Sequence, residues 1–388
     1  MEPGILAWLG FGWWSLGSTI QWASAALGRS PRAISDIRHQ VRDFSIVAPM
    51  AGAEDATADY VEVLRRLAEA GAEVLICVAR EDDAAVAPTK KLWPEAPILV
   101  GSDDTFNPKM NNVRKGLEAA SRDVVALCDA GIRLGADELT RAAAPLAAGA
   151  GLVLALKAAD EPGSFAAEIE RAYIDGHQAK FLFAADRLGV AVASGGVTIM
   201  TRDTLQRIGN WRGFNRWIAD DYSVVRTVRE LGLTTCLGAV MPRLPLGVRS
   251  WSTVWRRQVR WARTRLRLPV WPLVLWEPAI GWAATGAAGA AALFCSGANA
   301  ATIGLALVVH TVAWLLAEKW FMTGHGLAFG PRAAAAALVR EALAPVLIAS
   351  ALSSRAIDWR GTDLGGQWRD RRASAKESSG NTVTRKSI

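Results

Sequence analysis

The sequence is poor in the residues that build metal clusters and disulfide frameworks. It has four cysteines and four histidines among 388 residues, and its cysteines show no CxxC spacing. This argues against a zinc site and against a disulfide-stapled fold, and it suits a reduced cytoplasmic domain. With 51% hydrophobic and 21% charged residues, the chain is also not of the disordered class.

Charged residues are missing from two stretches, 3–28 and 278–317. The first is long enough to cross a hydrocarbon layer of ~30 Å. Basic residues follow it rather than precede it, unlike in a signal peptide. We therefore predict an uncleaved transmembrane anchor over 1–28, with a signal peptide or a buried helix as alternatives. The positive-inside rule then places the following domain in the cytoplasm.

The second stretch predicts a hairpin through the bilayer over 279–317, within a C-terminal membrane region, 270–353. A further apolar run, 333–352, contains Arg340 and Glu341. Because a charged pair is costly in a spanning helix, a re-entrant or interfacial helix is as good a prediction as a third span. The polar, basic tail, 354–388, is predicted to be cytoplasmic, with a disordered end.

Phosphate-binding glycine motifs are missing as well. Neither GxGxxG nor GxxxxGK[ST] occurs in a suitable place, which disfavours a nicotinamide enzyme and a P-loop ATPase. Between the charge-free stretches, strands and helices alternate over 42–268, which predicts an α/β domain with a mostly parallel sheet. The predicted strands are 44–48, 73–79, 98–100, 124–128 and 152–156.

Acidic clusters follow two of these strands, at the edge of the sheet where α/β proteins bind ligands. A nucleotide site is therefore expected. Its diphosphate would be held by a metal ion on carboxylates and by nearby lysine and arginine side chains.

Five motifs in order carry a closer resemblance. They are Glu81-Asp82-Asp83, Asn107-Pro108-Lys109-Met110-Asn111-Asn112, Cys128-Asp129-Ala130-Gly131, Ala219-Asp220-Asp221-Tyr222 and Arg257-Gln258-Val259-Arg260-Trp261. The series resembles the D, D, D, (Q/R)xxRW motifs of processive-type family 2 glycosyltransferases and, more closely, the ceramide glucosyltransferases. The resemblance covers essentially the whole chain and implies a GT-A (Rossmann-like) domain that ends in a basic interface helix.

For the donor, the resemblance implies that Asp83, with Asp82 beside it, contacts the uracil or ribose. Asn107 and Lys109 would meet phosphate at a helix start. Asp129 would hold Mg²⁺ or Mn²⁺, which prefer oxygen ligands. The usual second carboxylate of that motif is replaced by a glycine, so the metal would have fewer protein ligands.

For the reaction, the resemblance implies that Asp221, with Asp220 as its neighbour, is the catalytic base. Arg257 and Arg260 lie three residues apart on a helix and would both reach the diphosphate. Trp261 would line the acceptor pocket.

His177 and Gly195 are further candidates for the acceptor pocket. Each of these residues also has an ordinary structural interpretation, such as a helix cap, a solvated turn, a core histidine or a basic helix lying on anionic lipid.

The resemblance thus implies an inverting transfer of glucose from UDP-glucose to ceramide, with Mg²⁺ or Mn²⁺. The alternatives are another lipid acceptor such as diacylglycerol or a hopanoid, another UDP-sugar, or a membrane scaffold that is not an enzyme. The net charge of +7 is concentrated beside the apolar stretches, which does not suit nucleic acid. We expect a bacterial inner membrane rather than a Golgi location.

Overall fold

The structure is a computed structural model and describes residues 3–30, 36–52, 57–101, 105, 107–359 and 362–366. Most of the predicted tail, 354–388, and the basic residue Arg32 therefore lie outside the described residues.

A seven-stranded sheet forms the centre of the domain, in the order β3-β2-β1-β4-β7-β5-β8. Its strands are β1 Phe44–Pro49, β2 Glu73–Val78, β3 Ile98–Val100, β4 Val124–Cys128, β5 Leu152–Leu156, β7 Gly196–Thr201 and β8 Thr235–Leu237. Only β7 runs antiparallel to its neighbours, so the predicted mostly parallel sheet is confirmed. The strand order reverses between β1 and β4, where ligands bind in such sheets.

Helices cover both faces of this sheet, and two hydrophobic clusters lie between them. Strands β1, β4 and β5 are buried at every residue, which explains their uninterrupted apolar runs. The helices before the C-terminal region are α1 Pro3–Gly28, α2 Thr57–Glu69, α3 Val86–Leu92, α4 Pro108–Ala119, α5 Ala136–Ala147, α6 Phe165–Arg171, α7 Lys180–Arg187, α8 Arg202–Arg207, α9 Trp211–Phe214, α10 Asp220–Glu230 and α11 Trp251–Arg265.

Two features of the domain were not predicted from the sequence. Strands β6 Ala158–Pro162 and β9 Arg243–Gly247 form a separate parallel pair beside the main sheet. A π-helix, Ala172–Ala179, continues directly from α6 and leads into α7. Such wide turns are frequent at functional sites.

Two helices, α13 Trp282–Cys295 and α14 Ala300–Gly324, cover the segment for which the hairpin is predicted, and they follow the short α12 Trp271–Trp276. Their passage through a bilayer stays a prediction. Helix α14 continues seven residues beyond the predicted end of the hairpin at 317, through the charged Glu318. This is possible because Glu318 is buried and paired with Arg340 of α15 Pro331–Leu352.

Among the described helices, α14 and α15 are long and apolar enough to cross a membrane, and α13 is apolar but shorter. Helix α1 has 26 residues but does not reach that mean hydropathy, since tryptophan and glycine interrupt its aliphatic residues. It packs along α13 and α14, where Gly17 and Gly289 allow close contact. The N-terminal anchor stays a prediction.

Helix α15 packs against the domain along most of its length. Ala336 contacts Ile169 and Ala172 near one end, and Ile348 contacts Ala262 of α11 near the other. The predicted conflict between Arg340, Glu341 and an apolar environment is resolved because both side chains turn inward. The domain and the apolar helices are therefore joined by packed surfaces.

Candidate active site

The site is organised around Lys109, at the start of α4. Asn107 caps this helix by accepting a hydrogen bond from the Lys109 backbone N–H at 3.0 Å, and Pro108 occupies the first helical position. The Lys109 Nζ lies 2.8 Å from Asp129 Oδ1 and 2.6 Å from Asp220 Oδ2. The structure therefore brings together three predicted residues that are up to 111 positions apart.

Asp129 follows β4 at the strand-order reversal, and its backbone N–H donates to Gly196 O at 3.0 Å. Burial works against its charged form, but the ammonium groups of Lys109 and Lys157 hold the pKa of Asp129 below its usual value. A Cβ on Gly195 would lie 2.8 Å from Asp129 Oδ2. The predicted Gly195 therefore belongs to this site and leaves room beside a charged carboxylate.

Asp221 lies in the first turn of α10, where it accepts a hydrogen bond from the Tyr222 backbone N–H at 2.7 Å. Burial and the neighbouring Asp220 carboxylate raise the pKa of Asp221 to about 6. A carboxylate with this pKa is ionised at neutral pH and is a better proton acceptor than an ordinary aspartate. The environment suits a general base.

The arginine motif is held by a residue that the sequence did not predict. Glu170 of α6 is fully buried, and its Oε1 lies 2.9 Å from Arg257 Nη1. Arg249 approaches the other oxygen of Glu170 at 3.3 Å. The buried carboxylate thus fixes Arg257 in place. Arg260 lies one turn further along α11 and is half-buried.

Trp261 belongs to the same site through Lys157, a second residue that the sequence analysis missed. The Lys157 Nζ lies 5.5 Å from the centre of the Trp261 ring. Lys157 comes directly after the apolar strand β5, as Asp129 follows β4. The same rule about strand ends could have found it.

The first acidic motif makes its own set of contacts. Asp83 Oδ1 accepts hydrogen bonds from the backbone N–H groups of Gly52 at 2.8 Å and Ala85 at 2.9 Å. Asp82 forms an exposed pair with Arg80 at 2.7 Å. Within the described ranges, no hydrogen bond or ion pair joins Asp82 or Asp83 to Lys109. Their donor-binding role stays a prediction.

His177 lies in the π-helix. Its Nε2 is 3.8 Å from Glu277 Oε2, and its ring packs edge-on against Phe181. Burial opposes the charged form of Glu277, but Arg265 and then His177 lower the pKa of this carboxyl to about 2. The acceptor role of His177 also stays a prediction.

No group of three acidic, histidine or cysteine side chains that could enclose a metal ion occurs among the described residues. Mg²⁺ does not need such a group, since it is usually bound through one or two carboxylates and completed by substrate phosphates and water. Asp129 is the carboxylate suited to it, being charged and one-quarter exposed.

Known proteins are similar to this sequence over most of its length. Residues 16–371 match the family model described as glycosyl transferase family 21. Ceramide glucosyltransferase 3 of Caenorhabditis elegans is 24% identical over 345 residues, covering 84% of this chain and 74% of that protein. Ceramide glucosyltransferase 1 of the same organism is 24% identical over 352 residues, covering 86% and 74%. The predicted resemblance to ceramide glucosyltransferases is confirmed.

A solved structure shares the fold. The mannosyltransferase PcManGT from Pyrobaculum calidifontis, in complex with GDP-Man and Mn²⁺, superposes with a TM-score of 0.52 at 14% identity. The match covers 88% of this chain and 99% of that one. This likeness concerns the fold alone, and it confirms the predicted GT-A architecture.

Proposed function

Since the chain belongs to glycosyl transferase family 21, we propose that it transfers glucose from UDP-glucose to a hydroxyl of ceramide at a membrane surface. The observation that carries this is that Asp221, whose pKa is raised to about 6, directly follows Asp220 of the Lys109–Asp129–Asp220 cluster at the carboxyl edge of the sheet. The similarity to ceramide glucosyltransferases supports glucose and ceramide as the substrates.

In the proposed reaction, the lipid hydroxyl attacks C1 of the sugar from the face opposite the diphosphate. Asp221 accepts the hydroxyl proton as the new bond forms, and the electron pair of the breaking bond stays on the UDP oxygen. A divalent ion on Asp129 would supply charge stabilisation for that leaving group. Arg257, held by Glu170, would direct its guanidinium toward the diphosphate.

The apolar helices supply the lipid side of this proposal. Helix α15 packs on both α6, which carries Glu170, and α11, which carries the arginine motif. A lipid held beside α15 would be oriented toward the site instead of reaching it from bulk water, which is a large part of what an enzyme gains by positioning.

The test is a donor and acceptor matrix. The full-length protein, purified in lipid nanodiscs with Mg²⁺ or Mn²⁺, is incubated with UDP-glucose, UDP-galactose or UDP-N-acetylglucosamine against ceramide or diacylglycerol. Mass spectrometry identifies the products. We expect glucosylceramide from UDP-glucose and ceramide, and none from the Asp221→Asn variant.

Good transfer to another lipid, or from another sugar nucleotide, with none to ceramide would overturn the substrates and keep the glycosyltransferase. If no combination gives transfer, and Asp221→Asn leaves lipid association unchanged, the result would favour the alternative of a membrane scaffold that is not an enzyme.

A further inference from the structure

The cations of the candidate site differ in whether they already have an anionic partner. Lys109 is held between Asp129 and Asp220, and Arg257 is held by Glu170. The Lys157 ammonium, by contrast, forms no hydrogen bond or ion pair with any residue that the structure describes. Its Nζ lies over the face of the Trp261 ring, 5.5 Å from the ring centre.

Lys157 nevertheless lies inside the site. Its side chain is half-buried at the end of β5, and a Cβ on Gly195 would lie 3.5 Å from its Nζ. The charged groups that act on it are Asp129 after β4, Lys109 of α4, Arg257 of α11 and Asp221 of α10. Two of these four are cations and two are anions, but within the described residues neither aspartate forms an ion pair with Lys157.

The carboxylates that contact Lys109 and Arg257 are already engaged, so a bound anion can pair directly with the Lys157 ammonium. In the usual form of the motif that contains Asp129, a second carboxylate stands two residues further on. Gly131 occupies that position here. The site therefore has less negative charge of its own and more capacity for a ligand with negative charge.

We propose that Lys157 binds the diphosphate of the sugar nucleotide and neutralises the leaving group. This inference rests on the proposed glycosyl transfer. As the acceptor oxygen bonds to C1, the bond from C1 to the diphosphate breaks and its electron pair remains on the terminal phosphate oxygen. The hydroxyl proton goes to Asp221. The terminal phosphate thereby gains one negative charge, which the fixed ammonium of Lys157 pairs with.

Nucleotide binding tests this without any turnover. Calorimetry with the full-length protein in nanodiscs compares UDP with UMP, which lacks the terminal phosphate. The variants are Lys157→Met, which keeps the length of the side chain and its packing on Trp261, and Lys157→Arg, which keeps the charge. Lys91→Met, on the exposed side of α3, is the matched control.

We expect Lys157→Met to weaken UDP binding by about 10- to 100-fold, the range of one hydrogen bond to a charged group. UMP binding should change less than threefold, because the lost contact is with the terminal phosphate. Lys157→Arg should restore most of the UDP affinity, and kcat should fall in Lys157→Met beyond the loss in binding. Lys157→Gln replaces Lys157→Met if circular dichroism shows that the methionine variant does not fold.

Unchanged UDP affinity in a folded, uncharged variant would overturn the proposal, as would an equal loss for UDP and UMP. Failure of the proposed function looks different. If the wild-type protein binds GDP instead of UDP, the donor assignment falls and the same comparison proceeds with GDP and GMP. The binding measurements use no lipid acceptor, so a wrong acceptor leaves their outcome unaffected.

Discussion

Two of the charged clusters in the described part of this molecule differ in how far solvent reaches them. At the junction of the domain with the apolar helices, Arg340 bonds to Glu318 at 2.8 and 2.9 Å, to Glu341 at 2.7 Å and to Ala172 O at 2.7 Å. These three charged side chains are at most 7% exposed. In the candidate active site, Lys109 and its two partners are 20–25% exposed.

The difference separates a structural role from a chemical one. The junction cluster is closed to solvent and ties α14, α15 and the π-helix together. The site cluster is partly open, contains a carboxylate with a raised pKa, and has in Lys157 a cation that no described residue pairs. Perturbed groups that solvent can reach are typical of functional sites. We therefore expect damage to the junction to appear in stability and damage to the site to appear in turnover.

The largest effect is expected from Asp221→Asn. Loss of a general base should lower kcat by about 10²- to 10⁴-fold, measured as UDP release. The free energy of unfolding should increase at pH 7, because a carboxyl whose pKa is raised by folding is less stable ionised in the folded chain than in the unfolded one.

Asp123→Asn, on an exposed turn, is the matched control and should change neither quantity. A near-normal kcat in Asp221→Asn would show that Asp221 is not the catalytic base. The site cluster would then have no demonstrated chemical role to set against the structural role of the junction cluster.

Arg340→Met tests the structural role of the junction cluster. It leaves Glu318 and Glu341 buried without their cation, which typically costs about 3–5 kcal/mol of stability. The thermal unfolding midpoint in detergent should fall sharply, while the double variant Arg340→Met/Glu318→Leu should recover part of the loss. Arg332→Met, exposed on the same helix, should have no effect. A normal midpoint in Arg340→Met would show that the cluster does not hold the junction together.

The pH dependence of turnover follows from the direction of the shift at Asp221. Burial and Asp220 raise its pKa to about 6, so the residue is protonated and inactive as a base below that pH. We expect kcat/KM to rise from pH 5 to pH 7, with a change of about tenfold and a half-maximal value near pH 6. The residual activity of Asp221→Asn should lack this rise. An inflection that persists in the variant would assign it to another group.

The strands show most clearly how much of the fold the sequence predicts. The apolar runs 124–128 and 152–156 match β4 and β5 to the residue, because central strands buried on both faces leave a pattern that needs no tertiary information. The run 98–100 matches β3 as well, although β3 is a half-buried edge strand. Glu170 leaves no such pattern. It looks like any glutamate of a helix until folding brings it to Arg257, 87 positions away. The π-helix also leaves no pattern in the sequence, since its wide turns depend on the residues that pack around it.

Glu170→Gln tests whether that contact serves the site. Without the buried carboxylate, Arg257 loses its anchor, and we expect KM for the sugar nucleotide to rise by about tenfold with a smaller change in kcat. Glu168→Gln is the control on the same helix, since it removes a pair with Arg171 and leaves Arg257 untouched. Equal effects of the two substitutions on KM would mean that Glu170 acts only through the stability of α6.

The smallest change, one methyl group, can be placed in either cluster. In Gly176→Ala the new Cβ would overlap the Glu318 carboxylate, which is held by Arg340 and has no room to move. Such overpacking costs about 1–3 kcal/mol, so we expect a lower thermal midpoint.

In Gly195→Ala the Cβ would lie 2.8 Å from Asp129 Oδ2, at the end of a one-quarter-exposed side chain that can rotate away. We expect a normal midpoint and a several-fold loss of kcat/KM, because the rotated carboxylate no longer faces the donor. The reverse outcome, with the stability loss at Gly195 and the activity loss at Gly176, would mean that the exposed cluster is the structural one.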